Sequence, residues 1–222
     1  PSLTEIISLV RDQNIALIED CAHALFGRWG NNALGSLGTA SIFSLKKTLP
    51  SPGGGILRFP AETNPTSPEY HAKVSEIGAT LKLIAYTLEA KLPFSIRGYL
   101  LASSRVRQLT YNMDESRPVN RKEAMGTLSR RMLDRSSPEY IVKRRRENFA
   151  YALERLRRID RVSPIFSKLP GGVCPLGLPT LVQGDREELR RCLYRKGILL
   201  PAIWEELPNE VPAEHFPDSR LL

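Results

Sequence analysis

The sequence predicts an α/β protein with a mostly parallel sheet and a smaller α/β region towards its C-terminal end, on three observations. A helical stretch, LTEIISLVRD at 3–12, runs directly into the short apolar strand of NIALIED at 14–20, the repeating unit of a parallel sheet. Two more strand-like runs, TASIFSL at 39–45 and GGGILRF at 53–59, follow a glycine-rich turn. From about 162, after a long helical middle, strand, helix and strand patterns return.

Each element has its own local reason. Leu3, Ile6, Ile7 and Val10 recur at helical spacing. Ile15, Leu17 and Ile18 make a buried-looking strand that ends in Glu19–Asp20, and Gly27, Gly30, Gly35 and Gly38 then punctuate the chain. The three prolines of PAETNPTSP at 60–68 mark a boundary, and helices are expected over 69–91, 94–110, 121–135 and 138–159. In the last of these, Val142, Phe149, Leu153 and Leu156 form one apolar stripe, with KRRRE at 143–147 mostly off it. GVCPLGLPTLV at 172–182 reads as one or two strands. DREELRRCLYRKG reads as a helix with Asp185 as N-cap and Gly197 as C-cap, and ILLPAIW as a closing strand. The expected organisation is a first region over 1–60, a helical connecting region over 61–160 and a small α/β domain over 161–222, with no internal repeat.

Composition removes several classes. With 222 residues, 41% hydrophobic and 25% charged, the chain is globular in character. Its most apolar run, IGATLKLIAYTL at 77–88, is short and broken by Lys82, so no membrane span is expected. Cys21, Cys174 and Cys192 are odd in number and lack a CxxC pair, and His23, His71 and His215 are scattered. That pattern speaks against a disulfide framework and a metal centre, and for a reducing cytoplasm. Residues 97–161 hold 17 Lys+Arg against 8 Asp+Glu, while the remainder is nearly balanced at 15 against 16. A basic middle attracts nucleic acid or an anionic small molecule, and charge alone does not choose.

Chemistry gathers around Asp20, Ser44 and the pair Lys46–Lys47. Asp20 and Ser44 both fall at the carboxyl ends of predicted parallel strands, where open α/β sheets bind ligands. A carboxylate, a hydroxyl and a lysine there suit a phosphorylated cofactor that bonds covalently to an amine. At ~3 Å a carboxylate attracts a ring cation by roughly 5 kcal/mol at an effective dielectric near 20, before desolvation. Taken singly, Asp20 reads equally as a strand-ending turn residue, Ser44 as an ordinary strand serine and the lysines as a solvated pair.

The order of the blocks is more specific. IEDCAHALFGRWGNNALGSLGTASIFSLKKTLPSPGGGIL, residues 18–57, resembles the core of the DegT/DnrJ/StrS group, the mostly sugar-directed, pyridoxal 5'-phosphate-dependent aminotransferases of fold type I. The matching positions are Glu19–Asp20, His23, Gly35-Ser36-Leu37-Gly38, Phe43-Ser44, Lys47 and Gly54–Gly55, with looser likeness through RRRENFAYALERL and GVCPLGLPTLV. The resemblance implies that Asp20 pairs with the pyridine nitrogen, His23 lies by the ring near its 3-oxygen, Ser44 holds the phosphate and Lys47 is the Schiff-base lysine. Lys46 is the alternative, because the family's usual lysine position, five after the serine, is Leu49 here. Cys21 is expected to be a small buried residue without a catalytic role.

The departures are as informative. Gly53 stands where the family commonly has an acidic residue, and the family's Gly-x-Asn-x-Arg segment has no clean counterpart. VNRKEAMGTLSRRML at 119–133 occupies its place, with Asn120, Ser129 and Arg130 as weak candidates to reach a partner subunit. The family's first part, which supplies a phosphate cradle and a stacking aromatic, is expected to lie ahead of Pro1. Residues 1–60 would then end the large cofactor-binding domain. The implied reaction is transfer of an amino group from an amino acid, expected to be glutamate, to a keto group of a nucleotide-linked sugar, by a cytoplasmic homodimer. Two rivals stay open: a catalytically inactive homologue serving as a partner subunit, and a nucleic-acid-binding module built on the basic 97–161 region.

Overall fold

The computed structural model describes residues 3–60, 62, 63, 80, 84, 88, 124–196, 198 and 200. It divides into two compact units, one formed by 1–84, 121–149 and 168–177, the other by 85–120, 150–167 and 178–222.

In the first unit, α1 (Leu3–Asp12) leads to β1 (Ile18–Asp20). Two short strands, β2 (Arg28–Trp29) and β3 (Asn32–Ala33), pair antiparallel within the glycine-rich turn. β4 (Ala40–Ser44), α2 (Leu45–Thr48) and β5 (Gly55–Arg58) follow. The sheet has the order β1-β4-β5. Its first pair is parallel, as expected, and β4–β5 is antiparallel. The link from Ser44 to Gly55 is too short for a parallel crossover, which takes about a dozen residues or more.

The pleat sorts this sheet into two faces. Glu19, Ser41, Phe43, Ile56 and Arg58 share one by register, and Ile18, Asp20, Ile42, Ser44 and Leu57 share the other. The first face is packed: Leu25, Leu45 and Leu49 form a core joined by Phe26, Phe43, Ile56, Met125, Leu133 and Ile141. The second is open, with Ile18 at 67% and Leu57 at 55% exposure.

Two helices longer than α2 follow in this unit. α3 (Thr127–Asp134) is shorter than the 121–135 expected, residues 121–123 lying outside the described set. α4 (Pro138–Leu156) is the long helix expected over 138–159. Its start is local chemistry: Ser137 Oγ accepts from Tyr140 N–H at 3.3 Å, and Pro138 takes the first helical position, where no N–H is needed. Phe149 and Leu153 of the expected stripe are buried. The unit division falls inside α4, between 149 and 150.

The second unit holds β6 (Val162–Pro164) and β7 (Thr180–Val182), an antiparallel pair, and α5 (Arg186–Arg195). Asp185 caps α5 as the sequence predicts, accepting from Glu187 N–H at 2.8 Å and Glu188 N–H at 3.0 Å. Only the last three residues of GVCPLGLPTLV are strand. The stretch at 170–177 before them, which belongs to the first unit, is a loop with carbonyls taken by arginines: Arg146 donates to Pro170 O and Val173 O, and Arg145 to Pro175 O. Pro175 and Pro179 have no N–H to offer a ladder.

Lys196, rather than Gly197, caps the end of α5, and Ile198 and Leu200 belong to no strand. Gly197, the remainder of ILLPAIW and the helix at 94–110 lie outside the described residues, as does most of 69–91, where residues 80, 84 and 88 are helical.

Candidate active site

The expected site residues meet at one end of the three-stranded sheet. Asp20 is the last residue of β1 and pairs in register with Ile42; Ser44, two residues further along β4, therefore lies on the same face. The Asp20 side chain is exposed, and its Oδ1 accepts Ala22 N–H at 3.0 Å. This small turn aims the carboxylate past the strand end while Oδ2 takes no hydrogen bond from the described residues. His23 follows in the tight turn closed by Ala24 N–H donating to Cys21 O at 3.0 Å, and it is exposed.

Ser44 is also the N-cap of α2, yet its hydroxyl caps nothing. A serine in that position ordinarily turns its oxygen onto the helix N–H groups; here, among the described residues, the helix does not engage it. Within α2 the buried positions are Leu45 and Thr48, with Leu49 just beyond, whereas Lys46 and Lys47 are exposed. Core packing thus turns both amines outward. Lys47, three residues after Ser44, stands one helical turn above it, which favours it over Lys46 as the amine on the serine side.

Glu19, not Asp20, organises the glycine turn. Its Oε2 accepts Gly35 N–H at 2.8 Å, and its Oε1 accepts Leu37 N–H at 2.7 Å and Gly38 N–H at 2.6 Å. From β5, Arg58 donates to Gly35 O and Gly38 O, and Ser41 Oγ donates to Gly35 O at 2.8 Å. Gly35 has φ +85°, and a Cβ there would sit 2.2 Å from Phe43 Cζ. The turn is glycine because of that conformation and that crowding. Sequence reasoning grouped Glu19 with Asp20; strand alternation, which sends neighbours to opposite faces, was the signal that separates them.

Cys21 is buried, and burial first, then the nearby charges of Glu19 and Asp20, push its thiol up. A protonated thiol is a packing group, in keeping with the role expected of it. Ser129 is buried at 2% in α3, so it packs inside its unit, whereas Arg130 is exposed; Asn120 lies outside the described residues.

Arg145 is the residue that sequence reasoning missed. One Nη donates to Thr48 O at 2.8 Å and the other to Pro175 O at 3.0 Å. The basic run is therefore only partly a solvated face: Arg145 and Arg146 turn inward onto backbone carbonyls, and Arg144 pairs with Glu147 at 2.8 Å. Among the described residues no three His, Cys, Asp or Glu side chains cluster as a metal site, and no helix is long and apolar enough to cross a membrane.

Comparison with solved structures defines the fold first. DesI, solved in the presence of its TDP-sugar product, superposes with a TM-score of 0.52 at 16% identity, over 90% of this chain and 45% of that one. The Helicobacter pylori aminotransferase PseC, involved in the biosynthesis of pseudoaminic acid, gives 0.53 at 15% identity, over 99% and 56%. The fold is that of the fold type I aminotransferases. In sequence, residues 2–64 match the DegT/DnrJ/EryC1/StrS aminotransferase family. A Micromonospora echinospora protein provisionally assigned as an L-glutamine:3-amino-2,3-dideoxy-scyllo-inosose aminotransferase is 39% identical over 54 residues, 23% of this chain and 13% of that protein. The chain spans about half the length of the two solved structures.

Proposed function

We propose that the full-length protein is a pyridoxal 5'-phosphate-dependent aminotransferase, moving an amino group from an amino acid to a keto group of a nucleotide-linked sugar. One observation carries the reading. An exposed carboxylate with one oxygen unengaged among the described residues, a hydroxyl that declines to cap its helix and an outward lysine lie towards one end of one sheet, inside the segment that matches the family. This donor set fits the cofactor. When bound, pyridoxal phosphate supplies an aldehyde for covalent attachment and a ring that accepts the electron pair left as the donor's Cα loses its proton. Asp20 would keep the ring nitrogen protonated, Ser44 would donate to a phosphate oxygen and His23 would sit beside the ring. Lys47 would provide the amine and then carry the Cα proton. Glutamate is the donor we favour, and the Micromonospora protein, whose name specifies L-glutamine, makes glutamine the first alternative to assay. The full-length protein is proposed to act as a homodimer in the cytoplasm.

The test is borohydride reduction of the full-length protein after incubation with pyridoxal phosphate, followed by peptide mass mapping. A reduced pyridoxyl adduct on Lys47, lost in Lys47→Ala and kept in Lys46→Ala, is expected. An adduct on Lys46 keeps the enzyme class and moves the amine by one residue. A folded protein labelled on neither would overturn the reading in favour of an inactive partner subunit.

A further inference from the structure

We propose that Arg145 is a positioning residue for the lysine helix, so that the choice of Lys47 over Lys46 as the reactive amine depends on a guanidinium 97 residues further along the chain. α2 is a single turn, too short to hold itself together in water. Its end is held by Leu49 N–H donating to Leu45 O at 2.7 Å, and by two anchors from outside it. One is apolar: Leu45 and Leu49 sit in the core cluster. The other is Arg145, which donates to the carbonyl of Thr48, the residue immediately after Lys47.

That carbonyl belongs to the last turn of a helix, where carbonyls have no intrahelical partner, and Thr48 itself is buried. A buried carbonyl left without a donor is costly, and hydrogen bonds from charged groups are the stronger ones. The second arm of the guanidinium, on Pro175 O, ties the same group to the 168–177 loop. A planar fork can serve two carbonyls at once; an ammonium on a flexible stem holds one geometry less well. The apolar anchors fix how deep α2 lies and turn both lysines outward, whereas the Thr48 bond holds the finer rotation of its last turn. Rotation is what decides which of two adjacent outward lysines faces Ser44, since neighbours on a helix point about 100° apart.

The inference rests on the proposed aminotransferase reading, and two measurements on the full-length protein separate its failure from that reading's failure. The first needs no cofactor: amide hydrogen exchange of Leu49 and Ile42 in wild type, Arg145→Lys and Arg145→Met. Protection of Leu49 is expected to fall about tenfold or more in Arg145→Met, to recover partly in Arg145→Lys, and to stay unchanged for Ile42 in β4. The second is the borohydride adduct distribution, expected to spread from Lys47 towards Lys46 in Arg145→Met with partial restoration by lysine. A merely structural arginine would lower the unfolding midpoint and leave that distribution as it was. Unchanged Leu49 protection, or an unshifted adduct ratio in a folded variant, would overturn the inference. Should wild type carry no adduct while Leu49 protection falls as expected, the cofactor reading fails and the helix anchor stands. If Arg145→Met does not fold, Arg145→Lys decides on the same two readouts.

Discussion

Glu19 and Asp20 are adjacent carboxylates with opposite duties, because the pleat sends one into the glycine turn and the other past the strand end. Glu19 satisfies three backbone N–H groups, one of them on buried Gly35. Its replacement by alanine leaves donors without an acceptor, and a loss of about 2 kcal/mol or more is expected. Asp20 accepts a single local bond from an exposed position. Asp20→Asn is therefore expected to change stability by no more than about 0.5 kcal/mol, while removing the charge that the proposed chemistry requires. Denaturant unfolding of both variants, beside pyridoxal phosphate binding for the second, checks the pair. Equal destabilisation by the two would refute the division of labour. In the sequence, ED reads as one acidic pair. Only the face each residue occupies tells them apart, and that depends on register with β4.

At the level of elements, α5 shows how a short polar sequence commits to a helix. Hydrogen bonds from Glu188 N–H and Glu187 N–H, with Arg191 nearby, hold the Asp185 carboxyl below its ordinary value of 3.8. Glu187 is lowered in the same way, first by its hydrogen bond from Arg190. A carboxylate whose native value is depressed stabilises the fold above its unfolded value, and that contribution disappears as pH falls through the native one. Asp185→Asn should therefore melt below wild type at neutral pH, with the gap closing in acid below about pH 4. A gap constant across pH would mean that the carboxylate charge plays no part. This cap was legible beforehand because an aspartate with two glutamates in the turn after it, as in DREE at 185–188, is a local signal. The loop at 170–179 was not, because its apolar residues look like a strand, whereas its carbonyls are satisfied by side chains from a helix remote in sequence.

At the scale of the whole molecule, the net charge is +8, and among the described residues many of the arginines that contribute to it are engaged. Arg145, Arg146 and Arg157 donate to backbone carbonyls, Arg144 and Arg158 pair with Glu147 and Glu154, and Arg155 lies over the Tyr151 ring at 5.0 Å. The protein is expected to bind generic duplex DNA weakly at physiological salt. Tight binding that weakens steeply with salt, at a slope near 0.9 per phosphate contacted, would reinstate the nucleic-acid reading. The α/β class and the position of Asp20 and Ser44 at strand ends were legible because strands, glycines and turn residues signal locally. The arginine contacts were not, since each joins segments that only the fold brings together. The Arg145–Thr48 bond also has a consequence in time. On a ribosome adding about 5–20 residues per second, Lys47 emerges some 5–20 s before the arginine that anchors its helix. Throughout that interval the nascent chain carries the amine without the geometry to use it.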